Sequence, residues 1–296
     1  MKLSIIYITF QRPKDILKSI DSALEQKHFN DTEIIIIDND KTSDLSELLP
    51  KKPSIRYFKQ NQNLGVAEGR NEGIRKANGE ILIFIDDDAY LGREDTLIHI
   101  RTLFSSHSKL GCVAFKIINH YSGKVLSHEF PHPKTTLQNH QMLVSLFIGA
   151  GHAIRKSVFD HLGLYLDLTY WGEELEYSYR MIKNGYEILY VPEITVFHKV
   201  SPSGRLDHQK LIYYSFRNRF YATIPHVPFP YIVINLSSWT FIWLIKSIKV
   251  SAFRSFIKAL GDGLVHGINL IKTHKRKPLR GEHLKYLKSH GGRLWF

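Results

Sequence analysis

Acidic residues are almost missing from the last third of this chain, and cysteine is almost missing from all of it. Residues 199–296 hold 3 Asp/Glu against 17 Lys/Arg, whereas residues 1–198 hold 25 against 23. Cys112 is the one cysteine, which excludes a disulfide within the chain and a cysteine-based metal site, and points to a reducing compartment. The first ten residues are too short and too β-branched for a secretory apolar region. Gln11, Arg12 and Pro13 interrupt them without a small-residue cleavage site, so they read as a first strand. No apolar run reaches the roughly 20 residues that a membrane span needs. Residues 220–245 carry no Asp, Glu, Lys or Arg, but Pro225, Pro228 and Pro230 break the first third and leave 231–245. Glycines Gly65, Gly69 and Gly73 do not form a GxGxxG signature, so a dinucleotide fold is not supported.

What the chain does have is a short apolar run, residues 81–85, that ends in Asp86, Asp87 and Asp88. Such a run reads as a strand buried on both faces. Three adjacent carboxylates repel one another, and at a strand end they call for a neutralising cation. Alternation along an extended strand aims Asp86 and Asp88 the same way and Asp87 the other, leaving an Asp-x-Asp pair for one metal. The alternative is a solvated acidic turn that caps the next helix.

The rest of the first half follows one rhythm. Residues 3–9 read as a strand, Ile16, Leu17, Ile20 and Leu24 as a helix, 33–37 as a strand ending at Asp38-Asn39-Asp40, and 55–58 as a third strand. Asn63-Leu64-Gly65 opens a helix that Asn78-Gly79 closes. Alternating strands and helices predict an α/β fold: a mostly parallel sheet with helices on both faces and a ligand site beyond the strands' carboxyl ends. Loops at Phe10, Asp38 and Asp86 then share one rim, which suits a nucleotide and its phosphates.

Downstream, 94–104 reads as a helix and 112–118 as a strand. Residues 119–140 form a polar loop whose histidines, His120, His128, His132 and His140, lack ligand-like spacing. Gly149-Ala150-Gly151 would let a substrate approach the backbone or would simply make a tight turn, and Ile154, Val158 and Leu162 suggest a helix after it. A second acidic cluster, Trp171-Gly172-Glu173-Glu174-Leu175-Glu176, opens a helix that stops at Asn184-Gly185. Acids there can merely complement the helix dipole. Residues 188–191 and 195–197 are extended and lead to His198, which by itself reads as structural.

In this order the stretches 5–13, 34–40, 63–88 and 171–198 resemble glycosyltransferase family 2, inverting enzymes with a GT-A fold. The resemblance implies that Asp86 and Asp88 carry the metal and donor sugar, with Asp87 beside them. It places Asp38, with Asp40 and the Thr9-Phe10-Arg12 loop, at the donor nucleotide, and Asn63 and Arg70 near the donor. The family's second acidic motif is usually Glu-Asp, whose Asp is the general base; here the pair is Glu173-Glu174, which makes Glu174 the candidate base. The Trp-acid-acid-x-Glu-Tyr form is similar to the galactofuranosyl- and rhamnosyl-transferase branch, in which the downstream histidine, His198, completes the metal shell. Trp171, Glu173 and Gly151 are then the acceptor side. Implied cofactors are Mn or Mg and a nucleoside-diphosphate sugar.

The expected organisation is a GT-A domain over 1–205, with a donor half at 1–90 and an acceptor half at 91–205, and a basic, helical region over 206–296. Flanked by Arg217 and Arg219 and by Lys246, Lys249, Arg254 and Lys258, residues 231–245 read as an interfacial helix on an anionic membrane surface. The alternative is an apolar helix pair packed on the catalytic domain or in a homo-oligomer. Residues 272–280 resemble a nucleic-acid patch by charge alone and match no nucleic-acid module, so no nucleic-acid partner is expected. The function implied is transfer of a sugar to a glycan or polyprenyl-linked saccharide for bacterial surface polysaccharide, at the cytoplasmic face of the membrane. Two alternatives stand beside it. A degenerate binding protein is kept open by Glu174, and a sugar nucleotidyltransferase would need a Gly-rich loop where Phe10-Gln11-Arg12-Pro13 stands.

Overall fold

β-Branched residues dominate the first strand, and their side chains alternate between two cores. In β1 (Leu3–Thr9), Leu3, Ile5 and Tyr7 enter one core and Ile6 the other. The same alternation runs through β2 (Thr32–Asp38) and β4 (Ile81–Ile85), whose residues are buried throughout. The computed structural model describes residues 1–42, 44–273, 276–292 and 294. With β3 (Ile55–Lys59) these strands pair in parallel in the order β3-β2-β1-β4. Helix α1 (Pro13–Leu24) packs Ile16 and Ile20 into the first core, and α2 (Gly65–Lys76) packs Ala67 and Ile74 into the second. Thr9 pairs with Asp38, so the ends of β1 and β2 lie side by side on the rim where β4 also ends.

The second half supplies the antiparallel pairings that make the sheet mixed. Its elements are β5 (Ala89–Leu91), α3 (Thr96–Ser106), β6 (Leu110–Asn119), β7 (Met142–Val144), β8 (Gly151–Arg155), α4 (Lys156–Leu162), α5 (Glu173–Lys183) and β9 (Glu187–His198). β8 lies antiparallel between β4 and β6, β6 and β9 are parallel, and β5 and β7 are antiparallel to β9. The spacing of Ile154, Val158 and Leu162 suggests a single helix, but the structure divides it into strand β8 and helix α4. A five-residue strand buried on nearly every side chain shows no alternation that would mark it. Pro192 sits in a bulge: β9 pairs Val191 with Phe115 and then Thr195 with Lys116, leaving 192–194 out of the ladder, where a missing N–H costs nothing. Residues 86–88 run through a tight turn into β5 and cap no helix, which removes the capping alternative.

Four further helices follow, α6 (His208–Thr223), α7 (Tyr231–Lys249), α8 (Phe253–Lys272) and α9 (Gly281–Ser289). They enclose a third core that includes Tyr179 and Ile182 of α5, so the basic region is built onto the acidic helix. Helix α8 approaches α6 closely because Gly263 and Gly267 face Phe220 and Ile224, where a Cβ would fall 2.6 and 2.5 Å away. The apolar segment expected over 231–245 continues to Lys249. By length and composition alone α7 could cross a membrane. In the 272–280 cluster His274 and Lys275 lie outside the described residues; Arg276 donates to the carbonyls of Ile224 (2.8 Å) and Val227.

Candidate active site

The acidic triplet sits where β4 ends, and its three side chains take different partners. Asp87 is buried toward the β1 loop, where it accepts from Arg12 Nη1 (2.7 Å) and from the Phe10 N–H (3.3 Å). Asp88 is buried on the other side: Oδ1 lies 3.2 Å from His198 Nε2, and Oδ2 accepts the Ser201 N–H at 2.6 Å. The β5–β9 ladder pairs Ala89 with His198 and so delivers the histidine to Asp88. Asp86, Asp88 and His198 each offer a ligand atom, all within 4.8 Å of one another. Two carboxylates and an imidazole form a mixed oxygen and nitrogen donor set that fits Mn or a similar divalent cation.

Each carboxylate of the triplet also has a cationic neighbour in the protein. Arg70 Nη2 is 3.4 Å from Asp86, Arg12 Nη1 is 2.7 Å from Asp87 and 3.3 Å from Asp88, and His198 completes the set. Mutual repulsion is therefore relieved before any metal arrives, and a metal reading rests on the ligand geometry, not on charge alone. Burial pushes Asp87 up to about 6 although Arg12 opposes it. Burial would raise Asp88 as well, but His198 and Arg12 hold it below the usual carboxylate range. Burial would lower His198, and its hydrogen bonds to Asp88 and Glu129 overcome that and push it up to about 10.

Glu129 is a residue that sequence reasoning missed. It lies in the polar loop between β6 and β7, is buried, and accepts from His198 Nδ1 at 2.5 Å. That bond places the Nδ1 proton and turns Nε2 toward Asp88. A single Glu in a loop of scattered histidines carries no spacing signal that would have found it.

The second acidic cluster reaches the first through one arginine. Arg70, buried on α2, places Nη1 3.0 Å from Glu173 Oε1 and 3.2 Å from Glu174 Oε1, while Nη2 meets Asp86 and the Gly149 carbonyl at 3.2 Å. The two glutamates differ in access: the Glu173 side chain is 2% exposed and Glu174 18%. Burial and the neighbouring Glu174 push Glu173 up to about 8, outweighing Arg70. Desolvation therefore falls on Glu173, while the Trp171 ring packs under the Arg219 guanidinium. A Cβ on Gly149 would fall 2.2 Å from Glu174 Oε1, so this backbone borders the cluster. Gly151, the glycine singled out from the sequence, lies in β8, where a Cβ would press on Phe115 and Val196; the structure places it in the core, away from the acid pair.

On the donor side the structure gathers Thr9, Phe10, Arg12 and Asp38 along the rim, but several are engaged internally. Asp38 accepts from the Asp40 N–H (2.9 Å) and from the Tyr57 hydroxyl (2.7 Å), and burial raises it. Asp40 is buried and accepts from the Thr42 N–H and hydroxyl. Arg12 Nε donates to the Ser203 carbonyl at 2.7 Å, which ties the β1 loop to the segment after β9. Asn63 is exposed and accepts the Gly65 N–H (2.8 Å), so its visible work is to start α2.

The loop before α5 is strained and held from behind. Thr169, Trp171 and Gly172 have φ of 65°, 61° and 104°. Asn218 of α6, fully buried, reaches the carbonyls of Leu168 (2.7 Å), Tyr170 (2.5 Å) and Trp171 (2.9 Å), while its own oxygen accepts from Arg217. Next to it, Arg219 stacks between Trp171 and Trp239 of α7, with its guanidinium carbon 5.2 and 3.8 Å from the two ring centroids. Asn218, Arg219 and Trp239 were also missed, because nothing in sequence connects 218–239 with 168–172.

Comparison with known proteins bears on the family and the fold. The family model described as "Glycosyl transferase family 2" matches residues 4–163. An uncharacterized protein of Haemophilus influenzae is 37% identical over 169 residues, 54% of this chain and 91% of its own. The "GalNAc(5)-diNAcBac-PP-undecaprenol beta-1,3-glucosyltransferase" of Campylobacter jejuni is 32% identical over 138 residues, 43% of this chain and 44% of that one. Uncharacterized glycosyltransferases from three Rickettsia species are much longer, and the match spans 13% to 20% of their length. Among solved structures, S. aureus TarS 1-349 in complex with UDP-GlcNAc superposes with a TM-score of 0.62 at 17% identity, covering 89% of this chain and 80% of that one. Mannosyltransferase PcManGT from Pyrobaculum calidifontis, in complex with GDP-Man and Mn2+, gives 0.58 at 15% identity, covering 92% and 79%. At these identities the two structures establish the shared fold.

Proposed function

This chain belongs to glycosyltransferase family 2, and from that premise we propose that it is a metal-dependent, inverting enzyme that moves a sugar from a nucleoside-diphosphate sugar to a polyprenyl-linked or other glycan acceptor. The observation that carries the reading is the convergence of Asp86, Asp88 and His198 on one point, with Arg70 joining them to Glu173 and Glu174. Among relatives it is supported by the Campylobacter enzyme, whose name gives a diphosphate-undecaprenol-linked acceptor.

Asp86, Asp88 and His198 would hold a divalent cation, which when bound neutralises the negative charge on the departing diphosphate. Glu129 fixes the His198 ring. Glu174, the more accessible of the acid pair, accepts the acceptor hydroxyl's proton on a carboxylate oxygen as that hydroxyl attacks the anomeric carbon from the face opposite the diphosphate, which inverts the anomeric configuration. Arg70 keeps Glu173 and Glu174 in place between the two clusters. Thr9, Phe10 and the Asp38–Asp40 turn border the nucleotide's side of the rim. The domain division we propose follows the same line, with the catalytic sheet to residue 205, its donor half ending at 90, and the basic helices after it. An acceptor carried in lipid would set the enzyme on the cytoplasmic face of an anionic membrane.

One observation favours a second reading. Arg12, Arg70 and His198 already balance the triplet, as they would in a site that binds sugar nucleotides without turnover. Thermal unfolding with UDP-, dTDP- and GDP-sugars, with and without Mn, separates the two. Stabilisation by one nucleotide class only with Mn supports the transferase and names the donor. Stabilisation that ignores Mn, without transfer to any lipid-linked acceptor, supports the binding protein.

A further inference from the structure

Two helices of the basic region bury one face and leave the other bare. On α7, Ile232, Asn235, Trp243 and Ser247 point inward, while Ile234, Phe241, Ile245 and Ile248 stand exposed at helical spacing, Phe241 by 65%. On α8, Phe256, Ala259, Gly263 and Gly267 face α6 and its neighbours, and Phe253, Ile257, Leu264, Ile268 and Ile271 are exposed in a matching stripe. The stripes form one surface, because a groove of about 460 Å³ between the helices is bordered by Val233 and Phe241 on one side and Leu264 on the other. Exposed apolar ground of this extent marks a contact surface.

Charge selects the partner. Residues 231–272 carry Lys246, Lys249, Arg254, Lys258 and Lys272, and their one acid, Asp262, is engaged by the Tyr213 hydroxyl at 2.6 Å. A second copy of this face would bring the same cations and be repelled, whereas an anionic lipid headgroup layer satisfies both the lysines and the apolar stripes. Geometry selects the orientation. Nineteen residues of α7 extend roughly 28 Å, close to the thickness of a bilayer core. Crossing it, however, would strip Trp243 and Ser247 of their packing and Asn235 of its bond to the Leu294 carbonyl (3.2 Å), and α8 presents the same apolar stripe alongside.

We propose that the outer faces of α7 and α8 together are an in-plane docking surface for the anionic monolayer of a bilayer. This deepens the function proposed above, since Trp239 on α7 reaches the loop before Glu173 through Arg219 and Trp171, so a docked α7 faces the acceptor side. The test is flotation of the full chain with vesicles of phosphatidylcholine alone or mixed with phosphatidylglycerol. Binding is expected to be at least about tenfold greater to the anionic vesicles and to be released by alkaline carbonate. Each cation reversed, in Lys249→Glu or Arg254→Glu, should weaken it by about fivefold or more, and Phe241→Glu with Ile257→Glu should abolish it. Equal binding to both vesicles, no binding, or retention after carbonate would overturn the proposal. Nucleotide-sugar stabilisation is read on the same variants. If it persists while wild-type protein ignores vesicles, this inference fails alone; if vesicle binding holds while no donor stabilises the protein, the transferase reading fails alone.

Discussion

His198 illustrates how much a single partner decides. Glu129 takes Nδ1 and Nε2 faces Asp88, so if Nε2 holds a metal as proposed, Asp88→Ala and Glu129→Gln should fail differently. Asp88→Ala is expected to lower transfer by at least about a hundredfold and to abolish Mn binding in calorimetry. Glu129→Gln should keep the fold and weaken Mn by roughly tenfold to a hundredfold. Because the proton on His198 must leave before Nε2 can bind, Mn affinity should climb as pH rises toward about 10. The acid pair divides in the same way. Glu174→Gln is expected to cost about a hundredfold to ten-thousandfold in kcat while donor binding remains. Glu173, with a folded pKa raised to about 8, holds its proton in the folded state where the unfolded chain has lost it. Its contribution is thus present at low pH and is lost as pH rises from the ordinary glutamate range through about 8. Thermal melts of wild type and Glu173→Gln should accordingly separate by several degrees on that rise, with the variant the more stable.

At the level of elements, the acidic helix α5 works only as placed by α6. Asn218 satisfies carbonyls of the strained 168–172 loop, and α5 begins directly after it. Asn218→Ala removes the buried amide that donates to the Leu168, Tyr170 and Trp171 carbonyls and should cost about 1–3 kcal/mol of stability. If the loop positions the acceptor, the same variant raises the acceptor KM and lowers kcat while the donor dissociation constant stays fixed. A purely structural asparagine would lower the melting temperature and leave that kinetic split unmoved.

For the whole molecule, the function proposed above would fix both stereochemistry and place of work. In that reading Glu174 is the base, and Arg70 bridges it to Asp86 of the Asp86–Asp88–His198 cluster. NMR of the product should show the anomeric configuration opposite to the donor's, and a retained configuration would remove Glu174 as base. The charge imbalance between residues 1–198 and 199–296 becomes a spatial one, since the cations of 246–272 ride on helices whose inner faces are fixed to α6 and α5.

Period and punctuation in the sequence are local, and what depends on them could be read directly: β1, β2, β4, α2, the stop of α5 at Gly185, and the delivery of Asp38 and Asp86–Asp88 to one rim. Short apolar runs lack a period, which is why β8 does not stand out from the helix that follows it. Contacts across long separations have no local signature at all. Arg70 lies 103 residues from Glu173, Glu129 lies 69 from His198, and Asn218 lies 47 from Trp171. Residue order thus determined the catalytic types and the rim they occupy. Tertiary packing alone decided which carboxylate is buried, which glycine borders Glu174, and which helix faces are left exposed, because burial and partner choice are properties of the closed chain.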